Sequence, residues 1–428
     1  MNKNKLNLLL IYIYGFYVFY FPEVSSFIGI SSHLVLIGLF FLLLPIVFVI
    51  KKREITKVNK NLLLLLIGIV VSIIYFIIRA SVVNEDTRIL QNGFIILQII
   101  HVSFLIIFLK KYGKTTDELI KFPLNLALFQ SFICIMMVVF PSLKGVALDL
   151  YYKGQPENIF ISANRIYGIS NDYTFFTPAY HGILCTVALI YSIIQKWKYI
   201  VYIPFLLINI LLNGRIGLVV FFVGALSAMF YLLIKGKSRT KVISYLFLSI
   251  LSIISLLAIA KSIVPTTYNW IMLGINDTMS FLLDNELNGN YSALLDDMLF
   301  FPPNLIFGEG FRVYAGSGSA HGYYGSDIGY VNDMFMGGIL YIGILYLSIY
   351  WFILKVNTRT IKKEFLLNKT ISFSLLLMLL IANFKGESMR SGLIILIVVY
   401  IKLVLNSERK PLENHSIENK SGGESIGI

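Results

Sequence analysis

The sequence predicts an all-α polytopic membrane protein of about twelve transmembrane helices, with one long outer loop that carries an amphipathic helix. Three observations predict it. Of 428 residues, 57% are hydrophobic and only 14% are charged, with 33 Phe and 26 Tyr. That is more apolar surface than a soluble domain of this length needs. Apolar runs of about 20 residues, enough to cross a hydrocarbon core of about 30 Å, recur along the chain. Basic residues gather in every second connection between those runs.

Spans are expected near 6–21, 33–50, 61–78, 94–109, 122–140, 179–194, 199–212, 216–234, 242–260, 336–354, 370–384 and 391–405. The first lacks a small-residue cleavage site and runs on in aromatics to Phe21-Pro22, so it reads as an uncleaved span. Lys51, Lys52, Arg53, Lys57 and Lys60 follow the second span, and Lys110, Lys111 and Lys114 follow the fourth. From Tyr199 to Ile234 the chain is apolar except at Asn213-Gly214-Arg215-Ile216-Gly217. That stretch is too long for one span, and Asn-Gly is a natural turn between two. The arm before the turn has about 15 residues and rises about 22 Å, which is short of the full core. Arg215 should therefore sit below the membrane surface. Holding a cation there costs roughly 2.5–3.5 kcal/mol, so it marks a pathway or ligand site. The competing reading is an interfacial arginine that snorkels to water. Lys235, Lys237, Arg239 and Lys241 follow the eighth span, and Lys355 through Lys369 lie between the tenth and the eleventh.

With the N-terminus inside, the inner segments hold 26 of the 36 Lys and Arg, while the outer segments hold 15 of the 23 acids. The positive-inside rule then puts both termini in the cytoplasm. The net charge of +13 is a topology signal met by anionic lipids, and it does not call for nucleic acid. Cys134 and Cys185 fall inside spans, with no C-x-x-C pair, and the five His are scattered singly. Neither disulfides, metal nor cofactor are expected. Residues 1–405 read as one transmembrane domain, and the polar tail 406–428 reads as a disordered cytoplasmic segment.

Three outer segments are too long for turns: 79–93, 142–178 and 261–335. Within the last, Leu294, Leu295, Met298 and Leu299 share one helical face and Asp296 and Asp297 the other, so an amphipathic helix is expected over 291–300, ended by Pro302-Pro303. No phosphate-binding glycine loop occurs, and no cytoplasmic segment could bind a nucleotide sugar. The chemistry is therefore expected on the outer face, with a substrate that arrives already activated. Arg165, Arg215, Arg312 and Arg390 face outward in this topology, with Asp172, Glu309, Asp327, Asp333 and Glu387. Arginine's planar fork suits phosphate oxygens, which suggests a lipid-linked diphosphate; ordinary loop ion pairs are the rival reading.

Four segments, in order, resemble the O-antigen polymerase and ligase superfamily of bacterial polysaccharide assembly. They are Arg165-Ile-Tyr-Gly168 with Asn171-Asp172-Tyr173; Gly214-Arg215-Ile-Gly217; Pro303-Asn-Leu-Ile-Phe-Gly308-Glu-Gly310-Phe; and Ser326-Asp327-Ile-Gly-Tyr-Val-Asn-Asp-Met-Phe-Met-Gly337-Gly338. The resemblance covers roughly residues 160–345. It implies a GT-C-type fold in the bacterial cytoplasmic membrane with its active site outside. The implied reaction transfers a glycan from undecaprenyl diphosphate to a repeat unit on a second such lipid, for O-antigen or capsule. A chain-length regulator and a flippase are implied as further partners. Where the family often has another arginine upstream of the amphipathic helix, this chain reads Gly289-Asn290-Tyr291.

On this resemblance Arg215 binds the diphosphate and stabilises the leaving group, and Asp327 is the candidate base, where the ligase branch keeps a histidine. Arg165, Arg312 and Arg390, with His321 and Asn213, are candidate diphosphate and sugar ligands. Tyr151-Tyr152 and Tyr323-Tyr324 are candidates to stack on sugars or to form an interfacial belt. The alternatives are an O-antigen ligase and a lipid-linked oligosaccharide flippase. Unmatched halves and polar residues in outer loops favour the enzyme over the transporter.

Overall fold

The computed structural model describes residues 3–52, 60–83, 89–148, 165–170, 175–235, 239–284, 293–313, 322–323, 325–356 and 362–407. Among these residues the chain is all-helical, without a strand. Fourteen helices, apart from single turns, are α1 (Lys3–Tyr20), α2 (Ser32–Lys52), α3 (Lys60–Val83), α4 (Ile89–Lys111), α5 (Thr116–Val139), α6 (Pro141–Leu148) and α7 (Phe176–Ile194), then α8 (Tyr202–Asn213), α9 (Ile216–Ile234), α10 (Arg239–Ile263), α11 (Pro265–Asp284), α12 (Gly329–Leu354), α13 (Lys362–Ala382) and α14 (Gly392–Asn406). Nine of them are long and apolar enough to cross a membrane: α2, α3, α4, α5, α7, α9, α10, α12 and α13. The other three expected spans are shorter apolar helices at Lys5–Tyr20, Trp197–Asn213 and Gly392–Asn406. The tail beyond residue 407 lies outside the described residues.

Burial orders these helices from the axis outward. The α7 span is 94% buried, whereas α2 is 11% and α10 17% buried. Phe41, Leu42, Phe48 and Phe247 are accordingly exposed, an apolar surface that a bilayer covers. Around α7 pack α8, α9 and α13. Small residues allow the closest of these approaches. A Cβ at Gly182 would stand 2.5 Å from the Gly217 carbonyl oxygen, and one at Gly217 would stand 2.4 Å from that of Pro178. The first turns of α7 and α9 are therefore side by side.

One end of the bundle is fixed at the start of α5. Thr115 and Glu118 close a capping box there, each side chain accepting from the other's backbone N–H. Asp117 accepts from Lys196 Nζ at 3.0 Å and from the Tyr199 hydroxyl at 2.7 Å, which ties the α7–α8 connection to the same end. At the opposite end α8 stops at Asn213, and after Gly214 Arg215 is the N-cap residue of α9. The twelve residues of α8 rise about 18 Å, close to the short arm expected from the sequence.

α12 is broken within its third turn. Gly338 has φ +65° and ψ −163°, a conformation that favours glycine. The backbone groups released by the break find partners in the turn 304–310. Leu305 O accepts from Ile339 N–H at 2.9 Å and Ile306 O from Leu340 N–H at 3.3 Å, while Phe335 O accepts from Glu309 N–H at 2.6 Å. From α3, Tyr75 donates to the carbonyls of Phe307 and Gly337, both at 3.0 Å, and Arg79 Nη2 donates to Gly308 O at 2.7 Å. The third and fourth sequence motifs thus form one unit.

Two expectations for the long loop are corrected. The stretch 261–335 contains a 20-residue helix, α11, which begins at Pro265 directly after α10. The amphipathic helix expected over 291–300 is a five-residue π-helical turn at Ala293–Asp297, with 291–292 outside the described residues. Its Leu294 and Met298 cover a small cluster of Phe311, Val313, Ile328, Val331 and Phe335. The Ser326 hydroxyl donates to Met298 O at 2.8 Å and anchors the segment as the helix stops. α12 starts at Gly329, seven residues before the expected span, and the loop cluster buries its Val331 and Phe335.

Candidate functional site

Five of the candidate residues lie in two clusters. The first cluster gathers Arg165, Asn213 and Arg215. Segment 165–170 is brought to the end of α8 by Ile166 N–H donating to Leu212 O at 2.9 Å. It is pinned by the buried Gln130 of α5. That side chain donates to Tyr167 O at 2.9 Å and Ile169 O at 3.1 Å, and accepts from Ile169 N–H at 3.1 Å. Gly168, at φ +65°, lets the backbone lie against Gln130. Residues 171–174, including Asp172, lie outside the described residues.

Arg165 and Arg215 meet on Trp270 of α11. Their guanidinium carbons stand 4.9 and 4.8 Å from the centre of its indole ring. Each such contact contributes about 0.5–2 kcal/mol. The two charges are then at most about 10 Å apart, a spacing that costs roughly 1–2 kcal/mol at an effective dielectric constant near 20. The cation–π contacts offset a repulsion that would otherwise spread the pair. Asn213 is 1% exposed, and among the described residues its Oδ1 has no hydrogen-bond partner. An unpaired buried acceptor costs about 1–3 kcal/mol. The adjacent N-termini of α7 and α9 add partial positive charge to the same place.

The second cluster gathers Arg312 and Arg390, but among acids. Arg390 is 1% exposed; its Nε lies 2.7 Å from Asp333 Oδ1 and its Nη2 2.8 Å from Glu387 Oε1. Arg312 Nε also donates to Glu387 Oε1. Tyr346 donates to the other Asp333 oxygen and accepts from Asn383 Nδ2 at 2.6 Å, and Asn383 Oδ1 accepts from Met389 N–H at 3.2 Å. Burial works against the charge on Arg390, but Glu387 and then Asp333 outweigh it and raise its pKa above the ordinary arginine value. These two arginines, read from the sequence as outward-facing diphosphate ligands, are held in a charge-matched buried network.

The Asp327 side chain pairs with a lysine, and its backbone carbonyl accepts from Gly386 N–H at 2.7 Å, next to Glu387. Its Oδ2 accepts from Lys385 Nζ at 2.8 Å, and each side chain of the pair keeps about 30% of its exposure. Lys385 also lies 5.1 Å from the centre of the Phe175 ring, at the start of α7. On the other side of that start, the hydroxyls of Ser170 and Thr177 meet at 2.8 Å. The first turn of α7 therefore touches the segment that carries Arg165 and the Asp327–Lys385 pair. Asp327 does not cap α12, whose N-cap residue is Ile328. His321, Tyr324, Tyr151 and Tyr152 lie outside the described residues, and Tyr323 stacks on Phe300 with ring centres 6.0 Å apart. Among the described residues no group of His, Cys, Asp and Glu has the arrangement of a metal site.

Sequence reasoning did not find Trp270, Gly274 or Lys385. A signal for the first two was present, since Pro265 is a good first helical residue after a span and Trp270 is one of only three Trp. Fold and site together define an all-helical polytopic membrane protein with two arginines converging at one end of its bundle. No family model matches the chain, and neither a curated protein nor a solved structure is significantly similar to it.

Proposed function

We propose that the chain is a polysaccharide repeat-unit polymerase, acting on the outer face of the bacterial cytoplasmic membrane on glycans carried by undecaprenyl diphosphate. The convergence of Arg165 and Arg215, from two separate sequence motifs, beside two helix N-termini carries this reading. A dianionic diphosphate suits that concentration of positive charge, and the apolar flanks of the bundle suit a polyprenyl chain. In the reaction the acceptor hydroxyl oxygen attacks the anomeric carbon of the donor. The bond from that carbon to the diphosphate oxygen breaks, and its electron pair leaves with the diphosphate, where the arginines stabilise the charge. Asp327 takes the hydroxyl proton, and Lys385 orients its carboxylate.

The test is reconstitution of the purified protein in vesicles with a lipid-linked repeat unit. A ladder of lengthened, lipid-linked glycan is expected. Asp327→Asn is expected to fold, to bind donor and to slow lengthening by about 10²–10⁴-fold, the usual contribution of a general base. Passage of the unit across the bilayer without lengthening would replace the polymerase reading by a flippase. An Asn variant that lengthens glycan at the parent rate would remove Asp327 from the base role.

A further inference from the structure

α11 carries Trp270 and Gly274 one helical turn apart, so they share a face, and both meet Arg215. The approach at Gly274 is closer than any other residue allows. A Cβ there would stand 1.8 Å from Arg215 Nη1 and 2.3 Å from its Cδ. The arginine side chain thus lies directly on the helix backbone, with the indole against its guanidinium. Trp270 also meets Arg165, on a segment fixed by Gln130 and the end of α8. Its ring is half-buried against the main core, so its face is held in place from behind. Arg215 itself is at the N-cap of α9, where its backbone is fixed by a helix start. Three separately anchored elements therefore meet on one indole.

We infer that Trp270 and Gly274 are positioning residues, which seat Arg165 and Arg215 as a preset pair of cations and give the site its preference for a diphosphate over a single phosphate. This rests on the diphosphate reading of the arginine site. The physical reason is spacing. A single phosphate engages one guanidinium bidentately, whereas two linked phosphates can engage both without moving either. Preset geometry avoids the ordering cost that two long free side chains would otherwise incur on binding. An alanine at 274 would push the guanidinium off the helix and away from the indole. A leucine at 270 would keep the apolar bulk and remove the ring face.

The experiment measures binding of inorganic pyrophosphate and of orthophosphate to the full chain in lipid nanodiscs, with thermal melting as the control for folding. The parent protein is expected to prefer pyrophosphate. Trp270→Leu and Gly274→Ala are each expected to weaken pyrophosphate by about tenfold, within the range of a lost cation–π contact, while orthophosphate changes less than threefold. Trp270→Phe, which restores a ring face, is expected to recover most of the loss; a purely structural role would not follow the ring. A second reading uses a chain with Trp197→Phe and Trp351→Phe, in which Trp270 is the sole indole. Pyrophosphate is expected to shift its emission, and Arg215→Ala to abolish the shift. Equal affinities in the parent, Trp270→Leu and Gly274→Ala proteins, or unchanged emission, overturn the seat and leave the diphosphate site standing. A parent protein that binds neither pyrophosphate nor a polyprenyl diphosphate overturns the underlying reading and the seat with it.

Discussion

Arg215 and Arg390 are both arginines at one end of the same helical bundle, and their surroundings are opposite. Arg390 is 1% exposed; it pairs with Asp333 and shares Glu387 with Arg312, two cations against two acids. Arg215 is only partly buried and shares an indole with a second cation, Arg165. One arrangement is closed electrostatically by the chain itself. The other brings two cations onto one indole ring. Residue type and predicted location were the same, so the difference lies in what the fold brings alongside.

The comparison breaks most sharply at Arg390. Arg390→Ala leaves Asp333 and Glu387 as buried acids short of a partner, and it is expected to cost about 3–5 kcal/mol of stability. Thermal melting in detergent and the yield of folded protein measure it. A variant that melts with the parent would mean that the network is not structural. Arg215 is expected to give the reverse pattern. Arg215→Ala, and Arg215→Lys nearly as strongly, should slow glycan lengthening by about 10²–10³-fold with melting unchanged, because a lysine lacks the bidentate fork. Full lengthening by the lysine variant would reduce Arg215 to a generic cation. The smallest effect is expected at Lys385, whose ion pair with Asp327 is partly exposed. Lys385→Met should change stability by only about 0–1 kcal/mol. Its lengthening rate then reads directly whether orienting Asp327 matters, since folding drops out of the comparison.

Much of the fold was legible because a bilayer leaves few options. Long apolar segments must be helices, and Asn213-Gly214 had to be a turn once the stretch around it was too long for one span. The glycines of the last motif were legible as special positions, and Gly338 does break its helix. α11 was not legible as an element, because Thr266, Thr267, Asn269, Asn276 and Asp277 dilute its apolar pattern below that of a span. At the site, the sequence put four arginines and five acids into the same loops, but pairing is a tertiary property. Nothing local distinguishes Arg390, which meets Asp333 from a helix beginning 61 residues earlier, from Arg215, which meets Trp270. Asp333 lies in the turns of α12 that precede the expected span, and the 3₁₀ turn Ser388–Arg390, which follows Glu387, packs against that helix.

The broken helix α12 also dictates an order of assembly. Its first turns cannot complete their hydrogen bonds alone; Ile339 and Leu340 need carbonyls from Leu305 and Ile306. Those carbonyls belong to a turn synthesised some thirty residues before, and that turn is held by Tyr75 and Arg79 on a helix made far earlier still. The chain is therefore written in the sequence its construction needs: receptor first, then the docking turn, then the helix that closes over it. A nascent chain stopped before residue 329 would already hold the carbonyls that Ile339 and Leu340 need, and one rearranged so that α12 preceded the turn would insert a helix with open backbone groups in an apolar surround.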